Sequence, residues 1–121
     1  MLDDGEIKRL HVGPRLSEVA IHNGVVYLAG QIAENTGEDV AGQTREVLGH
    51  VDRLLAESGS DKTLVLSATV YIKSISLYAE MNRIWDQWVV PGHTPTRATV
   101  EARLARPDCL VEIKIVAAQR R

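Results

Sequence analysis

The chain has 121 residues, of which 45% are hydrophobic and 25% charged, and its formal net charge is −2. This length and composition are typical of a soluble globular protein and predict a single domain over residues 1–121. Because there is no basic excess, the composition does not favour nucleic acid as a partner.

Three short strands are predicted before the first helix. Residues 7–12 read as a strand that Gly13-Pro14 ends, and residues 17–22 read as a second strand. Residues 25–29 follow at once across Asn23-Gly24, the dipeptide that most strongly indicates a tight hairpin turn. The pattern therefore predicts a hairpin at this point of the chain.

Two helices and a long strand occupy the middle of the chain. Asp39 can cap a helix that runs to about Ser58, and residues 64–73 alternate as a strand. Ser76 can cap a second helix over residues 77–89. The apolar residues that form the inward stripes are Val47, Leu48, Val51, Leu54 and Leu55 in the first helix and Met81, Ile84, Trp85 and Trp88 in the second.

The last two predicted strands are residues 96–104 and 110–118. Each strand–helix–strand unit should cross over right-handed and leave its strands parallel, which places both helices on one face of the sheet. The result is a two-layer α/β domain. The other face is predicted to be mixed, with Ser67, Thr69, Tyr71, Arg97, Thr99, Glu101 and Glu112.

Signals for metal binding, export and membrane insertion are missing. The four histidines lack the spacing of metal ligands, and the single cysteine, Cys109, excludes a cysteine-based zinc site and reads as a small buried residue at a strand entrance. Residues 1–6 are acidic and lack the apolar segment of a signal peptide. No apolar run approaches the ~20 residues of a membrane span. We therefore expect a cytoplasmic protein without a metal.

Arg97 and Glu112 lie on the two most regular strands and form the candidate functional pair. A guanidinium can bind a carboxylate-bearing ligand through two parallel hydrogen bonds. A carboxylate nearby can move a proton or orient a water molecule. The pair is therefore a candidate site for a small carboxylate.

A simple hairpin of the last two strands would explain the same charges without a function. One register places Arg103 opposite Glu112 and Glu101 opposite Lys114, as two pairs of unlike charge worth at most ~1 kcal/mol each. The same hairpin leaves Arg97 about 20 Å from Glu112. A joint site then requires another strand order or a second subunit.

Three residues of the second helix have ordinary structural interpretations. Trp85 and Trp88, at helical spacing, are typical of core or interface anchors. Asn82 is expected to be a solvated or backbone-bonded amide.

Five segments form a recognisable set: Gly13-Pro14, Ala29-Gly30-Gln31, Asn82, Pro95-Thr96-Arg97-Ala98-Thr99-Val100 and Val111-Glu112-Ile113. Together they resemble the RidA/YjgF family over almost the whole chain. The most specific part is the final third, where the spacing from Arg97 to Glu112 matches the family without a gap.

The resemblance implies a chorismate-mutase-like (YjgF-like) fold, a mixed sheet of about six strands with two helices on one face. It places the last strand between the strands at residues 25–29 and 64–73, which rejects the simple hairpin. It also implies a homotrimer with three clefts between subunits.

Family members hydrolyse reactive enamines and imines, such as 2-aminoacrylate, to 2-keto acids and ammonia. By resemblance, Arg97 binds the substrate carboxylate and Glu112 positions or activates the attacking water. The Thr99 backbone amide and Gly30 hold the ligand, and Asn82 borders the cleft. No cofactor or metal is required.

Three departures from the family pattern mark a divergent member. Arg15 replaces a tyrosine, Ala29 replaces a serine, and Thr99 replaces a cysteine. If Arg15 points inward, it adds a second positive charge to the substrate-binding residues, which with Ala29 in place of serine predicts a shifted substrate preference. The alternatives are a non-catalytic trimer that binds carboxylates or 2-keto acids and, less favoured, an endoribonuclease or translation inhibitor.

Overall fold

The computed structural model describes residues 5–121. The acidic start of the chain, on which the expectation of no signal peptide rests, lies largely outside the described residues. Among residues 5–121, no helix combines the length and the apolar character needed to cross a membrane.

One mixed sheet and two α-helices make up the described part of the chain. The strands are β1 (Lys8–Val12), β2 (Ser17–His22), β3 (Val25–Leu28), β4 (Gln31–Ile32), β5 (Val65–Ile72), β6 (Thr96–Glu101) and β7 (Val111–Ala118), and the helices are α1 (Val40–Glu57) and α2 (Tyr78–Trp88). The predicted sheet of about six strands therefore has seven, because the two-residue β4 is too short to show an alternating pattern in sequence.

The predicted hairpin at Asn23-Gly24 is confirmed. Asn23 and Gly24 both have positive φ, at 50° and 77°, as a tight two-residue hairpin turn requires. His22 pairs with Val25 across the turn, so β2 and β3 are antiparallel neighbours.

The strand order places β7 inside the sheet. The order is β1-β2-β3-β7-β5-β6, and β4 also pairs with β7. β7 runs antiparallel to β3 and β5, whereas β5 and β6 are parallel. The hairpin of the last two strands is therefore wrong, and the position implied by the family resemblance is confirmed. Glu112 lies opposite Tyr71, and Lys114 lies opposite Thr69.

α1 begins at the cap that the sequence predicts, whereas α2 does not. The Asp39 carboxylate accepts a hydrogen bond from the Gly42 backbone amide at 2.9 Å, which confirms the predicted cap of α1. Ser74, not Ser76, caps a short 3-10 turn that precedes α2. α2 itself begins after Leu77 without a side-chain cap, so the predicted Ser76 cap is wrong.

Both helices cover the same face of the sheet and bury the predicted stripes. Cys109 is also buried at the entrance of β7, as predicted, and burial raises the pKa of its thiol.

The buried Gln43 side chain fastens the segment before β7 to α1. Its amide donates to the Thr36, Glu38 and Asp108 carbonyls at 3.4, 3.2 and 3.1 Å, and its Oε1 accepts from the Leu110 amide at 2.9 Å. This network fixes where β7 begins.

The predicted faces of β6 are reversed. In the parallel register, Ala68 aligns with Arg97, Val70 with Thr99 and Ile72 with Glu101. Aligned residues of neighbouring strands share a face, and Ala68, Val70 and Ile72 are buried beneath the helices. Arg97, Thr99 and Glu101 therefore point to the helix side, whereas Ala98 and Val100 point away. β6 is an edge strand whose apolar residues are exposed, so its alternation alone could not reveal the covered face.

Candidate functional site

Arg97 is held in place by one face of α2. Its Nη1 donates to Asn82 Oδ1 at 2.7 Å, and its Nη2 donates to the Tyr78 hydroxyl at 3.3 Å. The guanidinium carbon lies 5.1 Å from the centre of the Trp85 ring, within the range of a cation–π contact. Tyr78, Asn82 and Trp85 are four and three residues apart, a spacing that brings them to one face of a helix.

The Arg97 charge is oriented but not neutralised within the described residues. Both hydrogen-bond acceptors are neutral, and no ion pair found among residues 5–121 includes Arg97. A guanidinium has further N–H groups beyond the two used here. A partly buried cation of this kind is suited to bind an anionic group on a ligand.

Tyr78 and Trp85 are site residues that the sequence reasoning missed. Trp85 is buried and confirmed as a core anchor, yet its ring also faces Arg97. Asn82 Oδ1 accepts a hydrogen bond from Arg97, a side-chain partner that its ordinary interpretation did not include. Helical spacing from Asn82 could have found both aromatic residues.

Thr99 follows Arg97 on the same side of β6. Its hydroxyl oxygen is buried and has no hydrogen-bond partner within residues 5–121. An unsatisfied buried hydroxyl costs about 1–3 kcal/mol, so such groups call for an explanation.

Glu112 lies in a cleft on the opposite side of the sheet. The cleft has a volume of about 310 Å³ and is lined by Gly30, Tyr71, Ala102, Arg103, Leu104, Ala105, Glu112 and Lys114. Glu112 pairs in register with Ile32 of β4 and Tyr71 of β5, which brings the chain at Gly30 beside its carboxylate. A Cβ atom at Gly30 would lie 2.1 Å from Glu112 Oε2, so the close approach requires glycine.

Hydrogen bonds to the Ala29 backbone hold the segment that precedes Gly30. The Ala29 amide donates to the Glu18 carbonyl at 2.9 Å, and the Ala29 carbonyl accepts from Gln31 Nε2 at 2.9 Å. Arg15 is exposed in the turn closed by the Gly13 amide and the Leu16 carbonyl. It is not among the residues that line the Glu112 cleft.

Arg97 and Glu112 are therefore not brought together within one chain. Arg97 and Thr99 lie with Asn82 on the helix side, whereas Glu112 and Gly30 lie together in the cleft on the other side. Each side holds one half of the predicted pair. A site that uses both halves needs two copies of the chain.

The sequence matches known proteins over nearly its whole length. Residues 6–119 match the family described as Endoribonuclease L-PSP. A RutC family protein of Haemophilus ducreyi is 50% identical over 112 residues, which cover 93% of this chain and 96% of the relative. The RutC family protein YoaB of Escherichia coli is 44% identical over 112 residues, 93% of this chain and 97% of the relative.

Solved structures share the fold. A YjgF family member from Neisseria meningitidis superimposes with a TM-score of 0.95 at 51% identity, covering 98% of each chain. The Rid family protein YyfA of Yersinia pestis has a TM-score of 0.80 at 33% identity, over 88% of this chain and 89% of that one. The expected YjgF-like fold is confirmed, and the chain belongs to the RutC/YjgF family.

Proposed function

We propose that this protein hydrolyses enamines and imines of small carboxylic acids to 2-keto acids and ammonia. The observation that carries the proposal is the Arg97 guanidinium, which α2 orients through Asn82 and Tyr78 without neutralising its charge. This arrangement suits a substrate with a carboxylate beside the reacting carbon.

The reaction needs orientation and one proton-handling group. An imine carbon is already electrophilic, so a positioned water can add to the C=N bond. Glu112 accepts a proton as the water attacks and returns it to the nitrogen. The carbinolamine then collapses to the 2-keto acid and releases ammonia, and an enamine enters the same sequence after protonation at its β-carbon.

The active cleft is proposed to lie between two subunits of a homotrimer. One subunit supplies Arg97, with Asn82 at the border and the Thr99 amide beside it, and the neighbour supplies Glu112 and Gly30. A closed ring makes every such cleft equivalent. Exposed apolar side chains on the sheet face away from the helices, Tyr27 and Val100, support a subunit contact there.

Substitution of Arg97 and of Glu112 tests the proposed activity. A pyridoxal-phosphate enzyme generates 2-aminoacrylate in situ, and loss of the imine is followed with wild type and variants. We expect Arg97→Ala to weaken substrate or 2-keto acid binding roughly ten- to a hundredfold, since a charge-assisted hydrogen bond contributes about 1.5–3 kcal/mol. Glu112→Gln should lower turnover roughly a hundredfold or more while leaving binding in place.

Arg83→Ala is the matched control. Arg83 is an exposed arginine of α2 that pairs with Glu80 on the helix surface. Its loss should leave 2-keto acid binding and imine turnover unchanged. Wild-type turnover no faster than that of Arg97→Ala contradicts the proposal.

A non-catalytic 2-keto acid-binding trimer is the second candidate. It is favoured by Ala29, whose methyl group supplies no donor or acceptor beside Gly30. This candidate predicts binding that depends on Arg97 but no hydrolysis of any imine. The family description names an endoribonuclease, but a net charge of −2 does not favour RNA as the substrate.

A further inference from the structure

The Glu112 cleft contains two cationic side chains beside its single carboxylate. Lys114 lies two residues after Glu112 on β7, and Arg103 follows the end of β6; both line the cleft. The lining residues therefore carry a net charge of +1, from one carboxylate and two cations. A carboxylate that only handles a proton does not require two cations.

Arg103 is available for a ligand. It forms no ion pair or side-chain hydrogen bond found among residues 5–121, and it is exposed. The nearby acid Glu101 is engaged elsewhere, because its Oε1 accepts from the Ile75 amide at 2.9 Å. Arg103 can therefore offer its whole guanidinium to a second anion.

Lys114, which also lines the cleft, is held by a backbone contact. Its Nζ donates to the Leu28 carbonyl at 2.7 Å, which leaves the remaining ammonium donors for solvent or a ligand. An ammonium bonded to the backbone and an exposed guanidinium on one cleft form a subsite that favours negative charge.

We propose that the preferred substrates are imino acids with a second carboxylate on the side chain, and that Arg103 is the residue that selects them. The inference rests on the proposed function, in which Arg97 of the neighbouring subunit binds the carboxylate beside the imine carbon. Arg103 then binds the distal carboxylate, and Lys114 adds to the favourable potential.

A binding experiment tests the selection without relying on turnover. Calorimetry compares 2-oxoglutarate with 2-oxovalerate, which has the same carbon chain but a methyl group in place of the distal carboxylate. We expect wild type to prefer 2-oxoglutarate about tenfold, a modest factor because Arg103 is exposed. Arg103→Gln should reduce this preference to about twofold or less while 2-oxovalerate binding stays unchanged.

Arg106→Gln is the matched control. Arg106 lies on the same loop, but it pairs with Asp108 at 3.7 Å and does not line the Glu112 cleft. Its variant should keep the wild-type preference. Equal wild-type affinities for the two keto acids, or a preference that survives Arg103→Gln, overturns the inference.

Turnover separates the two proposals. Amino-acid oxidases generate 2-iminoglutarate and 2-iminovalerate, and the rates of imine loss are compared. Equal hydrolysis of both imines overturns the dicarboxylate inference and leaves the deaminase proposal standing. No hydrolysis of either imine, with 2-oxoglutarate binding that depends on Arg103, removes the deaminase proposal and supports dicarboxylate recognition.

Discussion

At Gly30 the absence of a side chain makes room for the Glu112 carboxylate. The position an added Cβ would take lies 2.1 Å from Glu112 Oε2 and 3.0 Å from its carboxyl carbon. The carboxylate therefore owes its position partly to a residue of the short segment between β3 and β4.

Gly30→Ala should displace the Glu112 carboxylate without unfolding the protein. The clash involves the end of a flexible side chain, which can move, so we expect turnover to fall about tenfold or more with little change in thermal midpoint. Gly49→Ala is the control, because Gly49 lies within α1 with open space around it and should gain about 0.5–1 kcal/mol in stability. Unchanged turnover in Gly30→Ala argues against a role for the Glu112 position.

Thr99→Val removes the hydroxyl of Thr99 but keeps its backbone amide, so it tests the two groups independently. The buried hydroxyl has no partner among the described residues, so its removal should raise the free energy of unfolding by about 1 kcal/mol. If only the amide contacts the ligand, 2-keto acid affinity should stay within about twofold of wild type. Urea unfolding and calorimetry measure the two effects, and a large loss of affinity would assign the hydroxyl to the ligand instead.

At the scale of elements, α2 is a support for Arg97 as well as a core helix. Its buried residues, Met81, Ile84, Trp85 and Trp88, pack on the sheet, while Tyr78 and Asn82 reach the guanidinium. The same helix therefore contributes to stability and to the orientation of the Arg97 guanidinium.

Asp61 ties the 3-10 turn before β5 to the end of the chain. Its carboxylate accepts from the Thr63 hydroxyl and amide and from Arg120, and these hydrogen bonds lower its pKa from 3.8 to about 2. Because the pKa is lower in the folded state, the carboxylate contributes stability above pH ~4 that is lost as the pH falls towards ~2.

Asp61→Asn should therefore be less stable than wild type at pH 7, by under about 1 kcal/mol because the ion pair with Arg120 is exposed. The difference should shrink between pH ~4 and ~2, where the wild-type carboxylate becomes protonated. Urea midpoints across this range measure it. A difference that stays constant down to pH 2 contradicts the assigned pKa.

At the scale of the whole molecule, the two faces of the sheet decide how the site must be assembled. Arg97 points to the helix side and Glu112 to the other, so a single chain offers each half-site separately. Two inactive variants should then complement each other, as they could not if both residues came from one chain.

Mixed assemblies of Arg97→Ala and Glu112→Gln subunits should regain activity. With equal, random mixing in a ring, about one quarter of the clefts combine an intact Arg97 with an intact Glu112 from the neighbour. Coexpression followed by the imine assay measures the recovery, and light scattering checks for three chains. Arg97→Ala mixed with the double variant should stay inactive. No recovery in verified mixed trimers contradicts a shared cleft.

The resemblance and the local patterns predicted different parts of this protein. The hairpin at Asn23-Gly24 and the start of α1 at Asp39 followed from chemistry within a few residues. The interior position of β7 came from the family resemblance, because the local pattern equally allowed a hairpin with β6. The support of Arg97 by Tyr78 and Trp85 was missed, because these residues lie 19 and 12 positions before it.

The sequence by itself indicated both α-helices, six of the seven strands, and which side chains of a strand share a face, since these depend on short-range periodicity. Only the tertiary structure decided which face the helices cover. That choice depends on register, with Ala68 beside Arg97 and Tyr71 beside Glu112, and register joins residues far apart in the chain. It places the two candidate residues on opposite sides of one sheet.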